Sequence, residues 1–229
     1  MPDESSKTCQ AVFFDLDGTL IDTAPDMVSA LQVLQQQHGV PPVSYAMGRS
    51  HVSNGALGLL RVGFPGVEGD AQEALRLEYL ERYEADLSAN SALFAGIDIL
   101  LERLEDARIP WGVVTNKPGY LTEPLLEALA LADRSACTVS GDTLSVRKPD
   151  PGPLLHACEQ AGVRPEHSMY VGDASRDIEA GLAAGMSTIA AAYGYVVSGD
   201  DPARWGAHEI ARDTAELAQI VLKAVNLSP

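Results

Sequence analysis

Apolar residues along this chain follow two rhythms. Short unbroken runs recur at Ala11–Phe14, Trp111–Thr115, Cys137–Ser140, Ser168–Val171 and Ser187–Ala191. Each is too short for an ordinary helix and predicts a buried strand. Between most of these runs the spacing changes to i, i+3, i+4, i+7, as at Ile97, Leu100, Leu101 and Leu104, which predicts helices with one buried face. Leu125, Leu126 and Leu129 repeat the pattern, with Thr122 as the expected N-cap. Strands alternating with helices predict an α/β fold, a parallel sheet covered on both faces. In such sheets, sites gather at the carboxyl ends of the strands.

One stretch departs from this alternation. From Thr23 to Asn90 only helical patterns occur, over Asp26–His38, Asn54–Arg61 and Ala71–Ala85. Thr23 and Asp26 read as a T-x-x-D capping box that starts a helix. An all-helical insertion there would lie over the strand ends as a lid. The expected division is a core of residues 1–22 and 91–229 and a cap of residues 23–90. The last helix is expected over Asp213–Val225 with a D-x-x-E cap.

The composition narrows the choice of partner. The chain has 229 residues and a net charge of −16. Nucleic-acid binding is not expected, because phosphate backbones bind clustered Lys and Arg. Cys9, Cys137 and Cys158 are odd in number and far apart, with no C-x-x-C. Neither a disulfide framework nor a thiolate zinc site is indicated, and a reducing cytoplasm is the simplest reading. The opening MPDESSKTCQ lacks the regions of a signal peptide. No apolar run approaches the roughly 18 residues of a membrane helix.

The polar residues at strand ends carry the chemistry. The first strand breaks into Asp15-Leu16-Asp17-Gly18-Thr19. On extended backbone, residues two apart point the same way, so Asp15 and Asp17 are expected to face one spot. Repulsion would then make one of them hold its proton. The second strand ends in Thr115-Asn116. Arg147-Lys148-Pro149-Asp150-Pro151 sets a cation in a stiff loop, since proline keeps its predecessor extended. Gly172-Asp173 ends a further strand, and Asp177 falls in the first turn of the next helix, where the helix dipole favours an acid. A capping turn, a polar turn or a surface lysine would explain each alone. None explains why Asp15, Asp17, Thr115, Lys148 and Asp173 all sit at or near strand ends.

In this order, D-L-D-G-T, V-T-N, K-P-D-P and G-D-x-x-x-D resemble the four motifs of the haloacid dehalogenase-like superfamily, over nearly the whole chain. Within it, the chain looks like the phosphoglycolate phosphatase branch, whose Rossmann-like core carries a helical cap after the first strand. Arg82-Tyr83-Glu84, Trp111-Gly112-Val113-Val114-Thr115-Asn116-Lys117-Pro118, and Tyr193-Gly194-Tyr195 followed by Arg204-Trp205-Gly206-Ala207 are similar to the N-acetylmuramic acid 6-phosphate phosphatases of peptidoglycan recycling.

The resemblance implies a Mg²⁺-dependent phosphatase acting on a small phosphate ester through an aspartyl-phosphate. Asp15 would be the nucleophile and Asp17 the general acid and base. Thr115 and Lys148 would hold phosphate and offset charge. Gly18, Thr19 and Asn116 would line the substrate's phosphate. Mg²⁺ would take the carboxylates of Asp15 and Asp173 and the backbone carbonyl of Asp17, with Asp177 behind them. In the cap, Arg49, Ser53 and Asn54 are the expected substrate contacts, Arg49 clamping a carboxylate bidentately. A sugar phosphomutase would carry the same four motifs. A halide-removing hydrolase would need neither Asp17 nor the Asp173/Asp177 pair. A non-enzymatic relative would be expected to lack an acid or the lysine. Substrate identity, N-acetylmuramic acid 6-phosphate or 2-phosphoglycolate, and oligomeric state stay open at this stage.

Overall fold

The structure, a computed structural model, describes residues 9–197 and 199–228. Residues 1–8, which include most of the stretch read as lacking a leader, lie outside the described residues.

The first apolar run forms β1 (Ala11–Phe14), fully buried. Alternation along it serves two cores at once. Val12 and Phe14 join a large cluster with Leu100, Leu101, Leu104, Leu125 and Leu217. Ala11 and Phe13 join a second cluster with Leu154, Ala157, Tyr170 and Ala180. Each large apolar side chain buried in this way contributes about 1.5–3 kcal/mol relative to exposure. A strand apolar on both faces belongs inside a sheet with helices on each side.

The chain next makes β2 (Ile21–Asp22), α1 (Ala24–Gln37), α2 (Tyr45–Arg49), α3 (Gly55–Gly63), α4 (Gly69–Ala85) and β3 (Ala92–Leu93). It continues through α5 (Ile97–Asp106), β4 (Trp111–Val114), α6 (Gly119–Ala128), β5 (Thr138–Val139), α7 (Gly152–Ala161), β6 (Ser168–Gly172), α8 (Ser175–Ala183), β7 (Ser187–Ala191), β8 (Glu209–Ala211) and α9 (Thr214–Ala224). Among the described residues the main sheet has six strands in the order β5-β4-β1-β6-β7-β8, every pair parallel. The expected parallel α/β sheet is therefore present. β1 lies at its centre, with β4 and β6 as neighbours in register at Phe14↔Val113 and Phe14↔Val171.

β2 and β3 form a small antiparallel pair, Ile21↔Leu93 and Asp22↔Ala92. It joins the point where the chain enters the α1–α4 segment to the point where it leaves. Asp26 reinforces that junction: its carboxylate accepts from Asn90 N–H, Asn90 Nδ2, Ser91 N–H and Ser91 Oγ at 2.7–3.0 Å.

Two expected caps are corrected. Thr23 and Asp26 do not form a capping box. The Thr23 hydroxyl donates to Asp17 at 2.7 Å, and Asp26 is spent on Asn90 and Ser91. Thr122 lies inside α6, which starts at Gly119, and its hydroxyl bonds back to the carbonyls of Lys117 and Pro118. The D-x-x-E reading of the last helix holds at its first member, since Asp213 accepts from Glu216 N–H at 2.8 Å.

Candidate active site

Parallel pairing brings the ends of β1, β4 and β6 to one spot. Asp15 N–H donates to Val171 O, and Thr115 N–H to Val139 O, so each residue leaves its strand under backbone control. Asp15, Asp173 and Asp177 present carboxylate oxygens within 4.8 Å of one another, all buried. Lys148 enters this cluster almost fully enclosed. Its Nζ lies 3.0 Å from Asp15 and 2.7 Å from Asp177, and donates to Val114 O at 3.0 Å and Tyr170 Oη at 2.7 Å. The Asn116 amide holds the lysine's loop by both ends, Nδ2 to Lys148 O at 2.9 Å and Lys148 N–H to Oδ1 at 3.1 Å. Asn116 thus lines the cavity while its amide group is committed to placing Lys148.

One cation faces three acids here, with Arg176 close by. Burial first, then the charges of Asp15 and Asp177, push the Asp173 carboxyl up to about 7. Burial also raises Asp177, against the pull of Lys148. Asp173 Oδ2 accepts from Ser53 Oγ at 2.6 Å and Tyr195 N–H at 2.8 Å, whereas its buried Oδ1 accepts nothing. Three converging carboxylates and an orphaned buried oxygen fit a hard divalent cation, which takes oxygen ligands. Gly18 makes this approach possible. Its φ is +83°, and a Cβ there would sit 2.8 Å from the Asp173 carboxyl carbon and 2.8 Å from Tyr195 Cδ2.

The expected convergence of Asp15 and Asp17 is corrected. Regular extension ends at Phe14, so strand alternation does not carry to Asp17. Its carboxylate is absent from the acid cluster and meets Lys117 Nζ at 3.1 and 3.3 Å and the Thr23 hydroxyl at 2.7 Å. Like-charge crowding is real, but it falls on Asp173.

A cavity of about 630 Å³ opens beside these strand ends, within the ordinary range for small-molecule sites. Asp15, Asp17, Thr115, Asn116 and Lys148 line it from the sheet, and Ser53 and Asn54 from the helical segment. Thr19 is buried just beyond, its hydroxyl without a partner and its carbonyl accepting from Tyr193 Oη at 2.8 Å. Arg49 has a different task from the one expected. It is not on the cavity wall. Its guanidinium donates to Gly194 O and Tyr193 O at 3.2 and 3.5 Å and lies 4.8 Å over the Tyr195 ring. It braces the loop after β7.

Four cations and an aromatic pair on the wall were not anticipated as site residues: Arg76, Lys117, Arg147, Arg176, and the stacked rings of Tyr79 and Tyr83. Arg76, Tyr79, Leu80 and Tyr83 follow i, i+3, i+4, i+7 along α4. That helical spacing was a signal open to sequence reading. Lys117, two residues after Thr115, carried only its place in the motif. Tyr193-Gly194-Tyr195 gains a physical role as well. Tyr195 Oη donates to Asp22 at 2.6 Å and accepts from Ala24 N–H at 2.9 Å, tying the acid cluster to the start of α1.

A doubly flanked parallel sheet with buried acids and a lysine at the carboxyl ends of its strands defines an α/β protein with a carboxylate-centred site. The family model described as haloacid dehalogenase-like hydrolase matches residues 12–191, and the chain belongs to that family. It is 44% identical over 208 residues to a phosphoglycolate phosphatase of Xanthomonas campestris pv. campestris, covering 91% of this chain and 94% of that one. It is 42% identical over 217 residues to an N-acetylmuramic acid 6-phosphate phosphatase of Pseudomonas putida, covering 94% and 97%. The crystal structure of a predicted phosphoglycolate phosphatase from Haemophilus somnus 129PT superposes with a TM-score of 0.82 at 26% identity, covering 93% and 98%. The chain is an enzyme, a phosphatase of the haloacid dehalogenase-like hydrolases.

Proposed function

We propose that the protein is a Mg²⁺-dependent phosphomonoesterase working through an aspartyl-phosphate on Asp15. We also propose that residues 23–90 act as a cap over a core of residues 1–22 and 91–229. The observation that carries the reading is the buried cluster of Asp15, Asp173, Asp177 and Lys148 at the carboxyl ends of adjacent strands.

Asp15 is oriented for attack by Leu16 N–H, which donates to its Oδ1 at 2.8 Å, and by Lys148. Its free oxygen displaces the ester oxygen from phosphorus. Asp17 gives a proton to the departing alkoxide, then takes one from the water that cleaves the phospho-aspartate. Lys148 offsets the charge gathered at Asp15, and Thr115 holds a phosphate oxygen. The carboxylates of Asp15 and Asp173 and the backbone carbonyl of Asp17, with Asp177 behind, would hold Mg²⁺, which would supply the neutralisation that lets a carboxylate meet a phosphate dianion.

The substrate is a small soluble metabolite, and the reading is a carboxylate-bearing sugar phosphate, N-acetylmuramic acid 6-phosphate. A cavity of about 630 Å³ with Met27, Leu57, Leu80 and Tyr79 on its wall is roomy for 2-phosphoglycolate, on the order of ten non-hydrogen atoms, and suits an ester of about two dozen. The second reading, 2-phosphoglycolate, is favoured by the name of the 44% identical relative. Among the described residues no helix is long and apolar enough to cross a membrane; we assign the enzyme to the cytoplasm.

The test is phosphate release from both esters with Mg²⁺ and with chelator. The expected result is Mg²⁺-dependent turnover with the higher kcat/KM on the sugar phosphate. Absence of phosphate release in Mg²⁺ overturns the assignment.

A further inference from the structure

Asp17 is occupied in this structure. Lys117 Nζ touches both of its oxygens, and Thr23 donates to Oδ1. Both oxygens are engaged while that arrangement holds, Oδ1 by Lys117 and Thr23 and Oδ2 by Lys117. Lys117 is itself held from the other side by the helical segment. Its Nζ donates to Tyr83 Oη at 2.8 Å and lies 4.6 Å over the Tyr83 ring. The lysine is enclosed, its side chain 4% exposed, yet it forms part of the cavity wall. An ammonium on a flexible stem, facing a cavity built for anions, can exchange one carboxylate for another.

We infer that Lys117 is an exchangeable clasp on Asp17, opened when a carboxylate on the substrate, remote from its phosphate, takes the ammonium. The inference rests on the phosphatase reading and on Asp17 as its proton donor. It makes the preferred substrate class phosphate monoesters with a second acidic group. It also makes recognition of that group act on kcat as well as on binding, because the group frees Asp17 for the chemical step. Tyr83 keeps Lys117 at the wall during the exchange, so the helical segment takes part in the switch.

The experiment compares each acidic ester, N-acetylmuramic acid 6-phosphate and 2-phosphoglycolate, with its carboxamide counterpart, in which size and leaving oxygen are kept and the charge is removed. In the wild type, kcat for whichever acidic ester is the better substrate should exceed that of its amide by at least about tenfold. In Lys117→Met, which has no clasp to open, the ratio of kcat values should fall toward one. A generally damaged fold would lower both values and leave the ratio in place. Tyr83→Phe keeps the ring but removes one partner of Lys117 and should lower kcat on the acidic ester with little change in KM. A wild-type preference lying wholly in KM, or a kcat ratio surviving in Lys117→Met, overturns the inference alone. No turnover of any ester overturns the phosphatase reading and the inference together.

Discussion

Asp173→Asn is expected to make the metal-free protein more stable while destroying its turnover. The Asp173 carboxyl has its usual value of 3.8 in the unfolded chain and about 7 in the folded one. Between these values the folded state binds the extra proton, so its stability falls as pH rises from about 4 to about 7. At 1.36 kcal/mol per unit, the ionised acid costs the folded state about 4 kcal/mol at pH 8 and well under about 1 kcal/mol near pH 4. Asparagine stands in for the neutral acid. Its side-chain oxygen still accepts from Ser53 Oγ and Tyr195 N–H, and its amide donates toward Asp15 and Asp177. At roughly 2–4 °C per kcal/mol for a chain of this size, the variant should melt about 5–15 °C higher at pH 8. The gap should close toward pH 4–5. The assay is thermal unfolding in chelator across that range, beside phosphate release in Mg²⁺. An Asp173→Asn variant no more stable than wild type at pH 8, or a gap independent of pH, refutes the reasoning.

Lys148→Met leaves Asp15 and Asp177 without their shared cation. Removing one partner of a buried ion pair typically costs about 3–5 kcal/mol, so a fall in Tm of about 10 °C or more should accompany complete loss of turnover. Asp15→Asn should abolish turnover with the fold intact, because Lys148 keeps Asp177, Val114 O and Tyr170 Oη; matched circular dichroism with residual activity near wild type would disprove the nucleophile. Asp17→Asn should slow alkyl phosphates far more than p-nitrophenyl phosphate, whose leaving group needs little protonation, and an equal loss on both removes Asp17 as the acid. Gly18→Ala forces an alanine to φ near +83° with its Cβ against Asp173 and Tyr195, and should lower Tm and weaken activation by Mg²⁺ in titrations of phosphate release.

The strands were legible because buried parallel strands are short continuous apolar runs, and β1, β4, β6 and β7 are of that kind. β2, β3 and β8, of two or three residues, were not read; β5 is as short and was legible from the run Cys137–Ser140 around it. Asp15, Thr115 and Asp173 were legible because each directly follows a strand whose end parallel pairing brings to the others, whereas Asp177 lies in the first turn of α8 and Lys148 in a loop that Asn116 holds. Asp17 was misread in direction, though not in place. Its orientation is set by Lys117 and Thr23, which lie 100 and 6 residues away, and strand alternation stops at Phe14, before Asp17 is reached. The contacts Arg49 makes here were not legible for a related reason. The side chain reaches backbone carbonyls 145 residues on, a partner that no local pattern announces.

The same limit applies to charge. A net −16 looks hostile to an anionic ester, and the acids do dominate the whole molecule. On the cavity wall the balance reverses, with Arg76, Lys117, Arg147, Lys148 and Arg176 against Asp15 and Asp17. Screening confines a surface charge to about 8–10 Å, so the local set decides what enters. Arg76 is one of the loosely held cations of this set, paired bidentately with Glu73 on the exposed side of α4 at 2.6–2.7 Å. An exposed pair of that kind contributes about 0.2–1 kcal/mol, little enough for an entering anion to displace. The wall therefore grades from exchangeable cations near solvent to a locked one, Lys148, beside Asp15. A phosphate ester moving inward meets tighter electrostatic control at each step toward Asp15.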